Sequence, residues 1–143
     1  MNTGHWILDQ SVTMNEEVFG FIYEITCTIN KKTYIGKKQC GKKIKRKPLK
    51  GKKRKRIEHV DSDWRTYTGS SVDLNNDIEQ YGKDKFVFTI LKVCGSKWEL
   101  GYEEIKEQIK RNVILDPSYY NGILNVRIGT PPKYIMEEYN KQA

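Results

Sequence analysis

The stretch GFIYEITCTINKKTYIGKKQ, residues 20–39, decides how the chain is read. It holds two apolar runs, FIYEITC (21–27) and KTYIG (32–36), on either side of the polar TINK (28–31). β-Branched and aromatic residues dominate both runs, so each reads as a strand and the pair as a hairpin. With Cys27 closing the loop opposite Lys32, Tyr34 falls opposite Ile25. Tyr23 and Tyr34 then leave the same face as diagonal neighbours, roughly 7–8 Å apart along the backbone. An odd-length loop would send the two phenols to opposite faces.

Outward from the hairpin, residues 1–17 read as a loosely attached N-terminal arm and 131–143 as a C-terminal tail after Pro131 and Pro132. The folded domain is expected over 18–130. Within it, 41–63 is too charged to pack and reads as a long basic loop inserted after the second strand. VDLNNDIEQYG (72–82) has helical spacing, with Gly82 as its stop. KFVFTILKVC (85–94) is nearly continuous in apolar residues and predicts a strand covered on both faces. Ser96 followed by Glu99 forms a capping box, after which Trp98, Tyr102, Ile105 and Ile109 recur as one apolar stripe. The expected fold is α+β: a small three-stranded antiparallel sheet flanked by helices.

The charge is concentrated. Of the 26 Lys and Arg residues, 11 lie in KKIKRKPLKGKKRKR (42–56), which holds no acid, against a net charge of +8 for the whole chain. The remainder carries 15 basic and 18 acidic residues. A cationic segment on a mildly acidic body favours a polyanion, most simply nucleic acid. Three cysteines without a C-x-x-C pair predict reduced thiols, and His5 and His59 cannot assemble a zinc site. No run is long and apolar enough to span a bilayer, and the N-terminus lacks a signal-peptide pattern, so a cytoplasmic location is expected.

F-I-Y at 21–23 and Y-I-G at 34–36, an eleven-residue step from Tyr23 to Tyr34, resemble the signature of the GIY-YIG nuclease family. Phe21 stands where that family usually has glycine, with Gly20 beside it. The resemblance extends over residues 20 to about 125. The order hairpin, helix, strand, glutamate-bearing helix and Tyr-Asn is that of the whole domain. GKKQ, DWRTYTGSS and DPSYYN also look like segments of phage-encoded members. It implies a divalent-metal-dependent DNA endonuclease, homing-type or DNA-processing, that hydrolyses phosphodiester bonds with Mg²⁺ or Mn²⁺. In a bacterial host its substrate would be double-stranded DNA, and a dimer would serve double-strand cleavage.

The resemblance also implies roles. Tyr23 and Tyr34 surround the scissile phosphate, and one glutamate holds the cation. Glu99, Glu103, Glu104 and Glu107 are candidates; Glu104, five positions after Glu99, is favoured over Glu103. Helical angles put these two on opposite sides of the stripe, so only one can face the tyrosines. Asn121, after Tyr120, is expected to support the site through hydrogen bonds, with Asn125 as the alternative. The family's arginine would fall at Ile44, inside the insertion, which leaves Arg65 as the choice over Arg46. Lys37 and Lys38 leave the second strand beside Tyr34 and should contact phosphates. Lys42, Lys43, Lys45, Arg46, Lys52, Lys53, Arg54, Lys55 and Arg56 form the wider DNA grip, which carries little base information. A non-catalytic nucleic-acid-binding module, or a basic RNA-associated protein, would need only the lysine loop. It would not need Tyr23, Tyr34, Glu104 and Asn121 together.

Overall fold

A computed structural model describes residues 1–124 and 127–142, with the backbone alone at 42–45 and 142. The hairpin forms as its sequence demands. Strands β2 (Gly20–Cys27) and β3 (Thr33–Gln39) pair antiparallel, with Ile25 opposite Tyr34 and Tyr23 opposite Gly36. The Cys27 N–H donates to the Lys32 carbonyl at 2.9 Å, closing the Thr28–Lys31 loop, in which Lys31 takes a positive φ of 64°.

The sheet is larger than the sequence suggests. β6 (Phe86–Cys94) runs antiparallel along the other side of β2, and the short β1 (Ile7–Leu8) adds to it in parallel. The order β1-β6-β2-β3 makes a mixed four-stranded sheet, not a three-stranded antiparallel one. With β2 central and both of its faces covered, Phe21, Ile22, Tyr23 and Ile25 are all buried.

The added strand comes from the supposed arm. Residues 1–17 are anchored by Trp6, which is 4% exposed and donates its indole N–H to the Trp64 carbonyl. Its ring lies 5.1 Å from those of both Phe21 and Tyr23. One large aromatic ring burying most of its area fixes a segment that has no periodicity of its own.

The basic insertion is likewise not a loop throughout. β4 (Gly41–Arg46) and β5 (Arg56–Asp61) pair antiparallel over six rows as a separate ribbon. Along β5 every residue but Val60 is exposed, and a strand wet on both faces needs no apolar alternation, so nothing in its composition signals it. Its tip turns at Leu49–Lys52, where Gly51 supplies a φ of +83° and the Lys52 N–H donates to the Leu49 carbonyl.

Two layers close the sheet. Helix α1 (Val72–Tyr81), capped by Ser71, inserts Leu74 on the face holding Trp6, Tyr23, Trp64 and Phe88. Helix α2 (Lys97–Lys110) covers the other face, where Ile22, Ile35, Leu100 and Val113 meet. Ser96 caps α2 through the Glu99 N–H as expected, but the apolar stripe divides. Ile109 is exposed, and Leu100, Glu103, Ile105 and Gln108 are the buried residues of α2. Trp98 and Tyr102 instead stack at 4.8 Å and receive Tyr139 edge-on from helix α3 (Lys133–Gln142). The C-terminal tail is therefore docked, with Ile135 buried. No helix among the described residues is long and apolar enough to cross a membrane, and all three cysteines are free and buried.

Candidate active site

Strand β3 is the outer edge of the sheet, and a cavity of about 480 Å³ wraps around that edge. Side chains from both faces reach it: Tyr23 and Tyr34 from the α1 side, Lys37, Glu104 and Gln108 from the α2 side.

Tyr23 and Tyr34 stand with ring centroids 6.1 Å apart, the diagonal contact that the hairpin register dictates. Glycine makes room for them. A Cβ at Gly36, directly opposite Tyr23, would collide with the Tyr23 hydroxyl. At Gly69 (φ +83°) a Cβ would press on both phenols at 3.2 Å. The turn built on Gly69 brings in residues beyond those the motif assigns to the site. Tyr67 packs edge-on to Tyr23 at 6.1 Å, and Ser70 Oγ lies 3.2 Å from the Tyr34 hydroxyl. Their signal in the sequence is TYTGSS, whose glycine and hydroxyls mark a tight turn before a helix.

Glu104 enters from α2, its side chain 15% exposed, with Oε1 at 3.8 Å from Lys37 Nζ. Glu103 does not enter the cavity: its carboxylate receives the Tyr139 hydroxyl at 2.6 Å and pairs with Lys92 at 3.0 Å. Asn121 holds the β3 edge. Its Oδ1 accepts from the Ile35 N–H at 3.0 Å and its Nδ2 donates to the Ile35 carbonyl at 2.8 Å. Gln108 Nε2 donates to the same carbonyl at 2.9 Å. Asn125 lies outside the described residues.

The electrostatics follow from burial. Tyr23 is pushed well above the ordinary phenol range by desolvation and then by Tyr34 and Tyr67, so it is neutral. Tyr34 is raised by burial, with the Ser70 hydrogen bond acting against the shift. Burial also raises Glu104 above the usual carboxylate range, partly offset by Lys37.

The arginine falls elsewhere. Arg65 donates to the Asn2 carbonyl at 2.8 Å, pairs with Asp61 at 3.1 Å and lies over the Trp64 ring at 4.4 Å. It lines a different cavity, beside Cys40 and Met14. Arg46 pairs with Glu58 on the ribbon at 2.7 Å. Among the described residues lining the tyrosine cavity, Lys37 is the cation and no arginine is present. Lys38, one residue on, turns to the opposite face, 2.7 Å from Asp63 and over the Tyr67 ring at 4.1 Å. Lys52, Lys53, Arg54, Lys55 and Arg56 are exposed on the ribbon. The side chains of Lys42, Lys43 and Lys45 lie outside the described residues.

No group of three or more His, Cys, Asp or Glu that could hold a metal ion occurs among the described residues. A hard divalent cation fits Glu104 nonetheless. Mg²⁺ keeps several waters and commonly takes only one or two carboxylates plus phosphate oxygens. The loose 3.8 Å contact with Lys37 leaves lone pairs of the Glu104 carboxylate available in a polar cavity.

No curated protein and no solved structure matches the chain. A family model described as "Putative endonuclease segE, GIY-YIG domain" matches residues 6–124, which takes in the docked N-terminal strand, both tyrosines, the ribbon, Glu104 and Asn121. The chain belongs to the GIY-YIG nuclease family.

Proposed function

We propose that the protein is a divalent-cation-dependent DNA endonuclease, a phage homing-type or DNA-processing enzyme that hydrolyses one phosphodiester bond per visit. The observation that carries this reading is the meeting of the Tyr23 and Tyr34 phenols with the Glu104 carboxylate and Lys37 ammonium in one cavity at the β3 edge. A backbone-gripping protein has no use for a half-buried carboxylate raised above its ordinary range at that point.

Glu104 would hold Mg²⁺ or Mn²⁺, which when bound supplies Lewis-acid polarisation of the phosphoryl oxygen. The remaining work falls to the chain's own side chains. Lys37 faces the phosphate and offsets the charge that develops on its oxygens, in place of the guanidinium that Arg65 cannot supply from its own cavity. Tyr23, neutral and fixed between Gly36 and Gly69, donates a hydrogen bond to the phosphate. Tyr34, less deeply buried and linked to Ser70, orients the attacking water and relays its proton. Asn121 and Gln108 hold the Ile35 peptide and thereby the spacing of Tyr34 and Lys37 on either side of it.

The cationic ribbon grips the duplex backbone away from the cut. Its exposed lysines and arginines are suited to phosphates rather than to base edges. The second reading, a binding module without catalysis, is favoured by the tying of Arg65 to Asp61 and Asn2.

Supercoiled plasmid separates the two. The protein should nick or linearise it with Mg²⁺ or Mn²⁺ and leave it intact in chelator, while Glu104→Gln still shifts the plasmid on a gel without cutting. A wild type that binds duplex yet never cuts with either ion would leave the binding module as the answer.

A further inference from the structure

A second cavity, of about 490 Å³, opens beside the first and shares Lys37 with it. It lies at the N-terminus of α2, between that helix and the segment leading to α3. Its lining chemistry is one-sided. Lys37, Lys97 and Arg127 contribute three cations, Trp98 and Tyr134 two aromatic rings, and none of its described lining residues is acidic. The positive end of the α2 dipole also lies there, with Ser96 already accepting from the Glu99 N–H.

The rings differ in their readiness. Trp98 is locked: its indole N–H donates to the Gly129 carbonyl at 2.8 Å, and Tyr102 stacks on its ring at 4.8 Å with an interplanar angle of 13°. Tyr134 is 64% exposed, an apolar surface that the fold leaves uncovered directly beside cations. Fixed and exposed aromatic rings among Lys and Arg, without carboxylates, are the elements that hold a single-stranded nucleic acid: bases stack on the rings while phosphates meet the cations. The volume suits one nucleotide, at the scale of ordinary small-ligand sites.

We propose that this cavity takes one unstacked nucleotide of the strand being cut, immediately beside the phosphate that Lys37 faces. The proposal rests on the nuclease reading for its placement, since Lys37 is common to both cavities. It gives the protein a preference that the ribbon cannot provide: a target with an unpaired or easily unpaired nucleotide at the cut.

The test is binding in chelator, where no cutting occurs, with a short DNA duplex and the same duplex carrying one unpaired 2-aminopurine nucleotide. Wild type should bind the second more tightly and quench its emission by stacking. Tyr134→Ala, which removes an exposed ring and should leave the thermal melt unchanged, is expected to lose roughly tenfold in affinity for the unpaired probe, together with the quench. It should bind the plain duplex as wild type does. Arg127→Glu should weaken the unpaired probe in the same way. Equal affinity of wild type for the two probes, or unchanged affinity and quenching in Tyr134→Ala, would overturn the proposal. A protein that shows the expected pattern but never cuts plasmid with Mg²⁺ or Mn²⁺ would refute the nuclease reading and leave the nucleotide cavity standing.

Discussion

Asn121 clasps the peptide of Ile35 from both ends, accepting from its N–H at 3.0 Å and donating to its carbonyl at 2.8 Å. Ile35 sits on an edge strand, where those groups have no strand to pair with. Both partners are buried, so the clasp satisfies an N–H that would otherwise be orphaned and shares the carbonyl with Gln108.

Asn121→Asp keeps the acceptor and replaces the donor with a second oxygen aimed at a carbonyl. It should destabilise the fold by about 1–3 kcal/mol, the usual penalty for leaving a buried polar group unpaired. Urea unfolding measures it. Cutting should fall further than stability does, because Tyr34 and Lys37 flank the peptide whose position is lost. An Asn121→Asp protein that unfolds and cuts like wild type would show that the clasp is incidental.

Gly36 bears on the Y-I-G signature itself. Its place opposite Tyr23 leaves no room for a methyl group beside that hydroxyl, and Tyr23 is too deeply packed to swing away. Gly36→Ala should therefore displace Tyr23 or the strand, at a cost of about 1–3 kcal/mol for overpacking. Gly51→Ala on the ribbon meets no neighbouring atom and suffers only from its φ of +83°, so it should cost less. Thermal melts of the two variants check the ranking.

How much of this is legible from the sequence depends on how local the determinants are. The β2–β3 register, the helix expected over 72–82 and the Ser96 cap follow from neighbouring residues, and each stands where the sequence puts it. Trp6 beneath Trp64 is a contact across 58 residues that no periodicity announces. The ribbon escapes because wet strands and wet loops share one composition, and Ile109 because Tyr139, far along the chain, draws Trp98 and Tyr102 away from it. Neither Arg65 nor Arg46 lines the tyrosine cavity, whose cation is Lys37, a residue the sequence already places near the phosphate. Lys37 is already on β3, beside Tyr34, and needs no distant residue to be brought in.

Glu103 and Glu104 should respond to neutralisation with opposite signs. Burial works against the Glu103 charge, but the Tyr139 hydroxyl and Lys92 outweigh it and hold that carboxyl below its ordinary value. Its contribution is present above the unfolded pKa and lost as pH falls through the folded one. Glu104 is raised by burial, so the folded state binds its proton more readily than the unfolded state, and its charge works against folding at neutral pH. Glu103→Gln should thus lower the melting temperature at pH 7.5 and retain cutting. Glu104→Gln should hold or raise it and abolish cutting. The same sign would mean that only one of the two environments is as described.

His5 sets an acid limit on the fold. It stacks on Phe88 at 3.9 Å, and burial followed by the charge of Lys83 lowers its imidazole to about 4. The folded state then binds fewer protons than the unfolded one between that value and the ordinary 6.5, so stability falls as pH drops through the window. His5→Phe preserves the stack and removes the titration. Urea midpoints for the two proteins should converge near neutrality and part below pH 6, with the variant the more stable. Parallel curves down to pH 4 would contradict the assignment.

The ribbon should declare itself through salt. Lys52, Lys53 and Lys55 are exposed between Leu49 and β5 and touch no carboxylate among the described ion pairs, so replacing all three with Ser disturbs no packing. Every phosphate left without its lysine lowers the slope of log affinity against log salt by about 0.9 on duplex DNA. The triple variant should show a slope smaller by about 2–3 and weaker binding to the plain duplex and to the duplex with one unpaired nucleotide alike, with unaltered position of cutting. This separates the grip from the site: lysines remote from the cut change how often the enzyme is bound, not which bond meets Glu104. A triple variant with the wild-type slope would remove the ribbon from the DNA interface and leave Lys37 and the α2 terminus to account for binding.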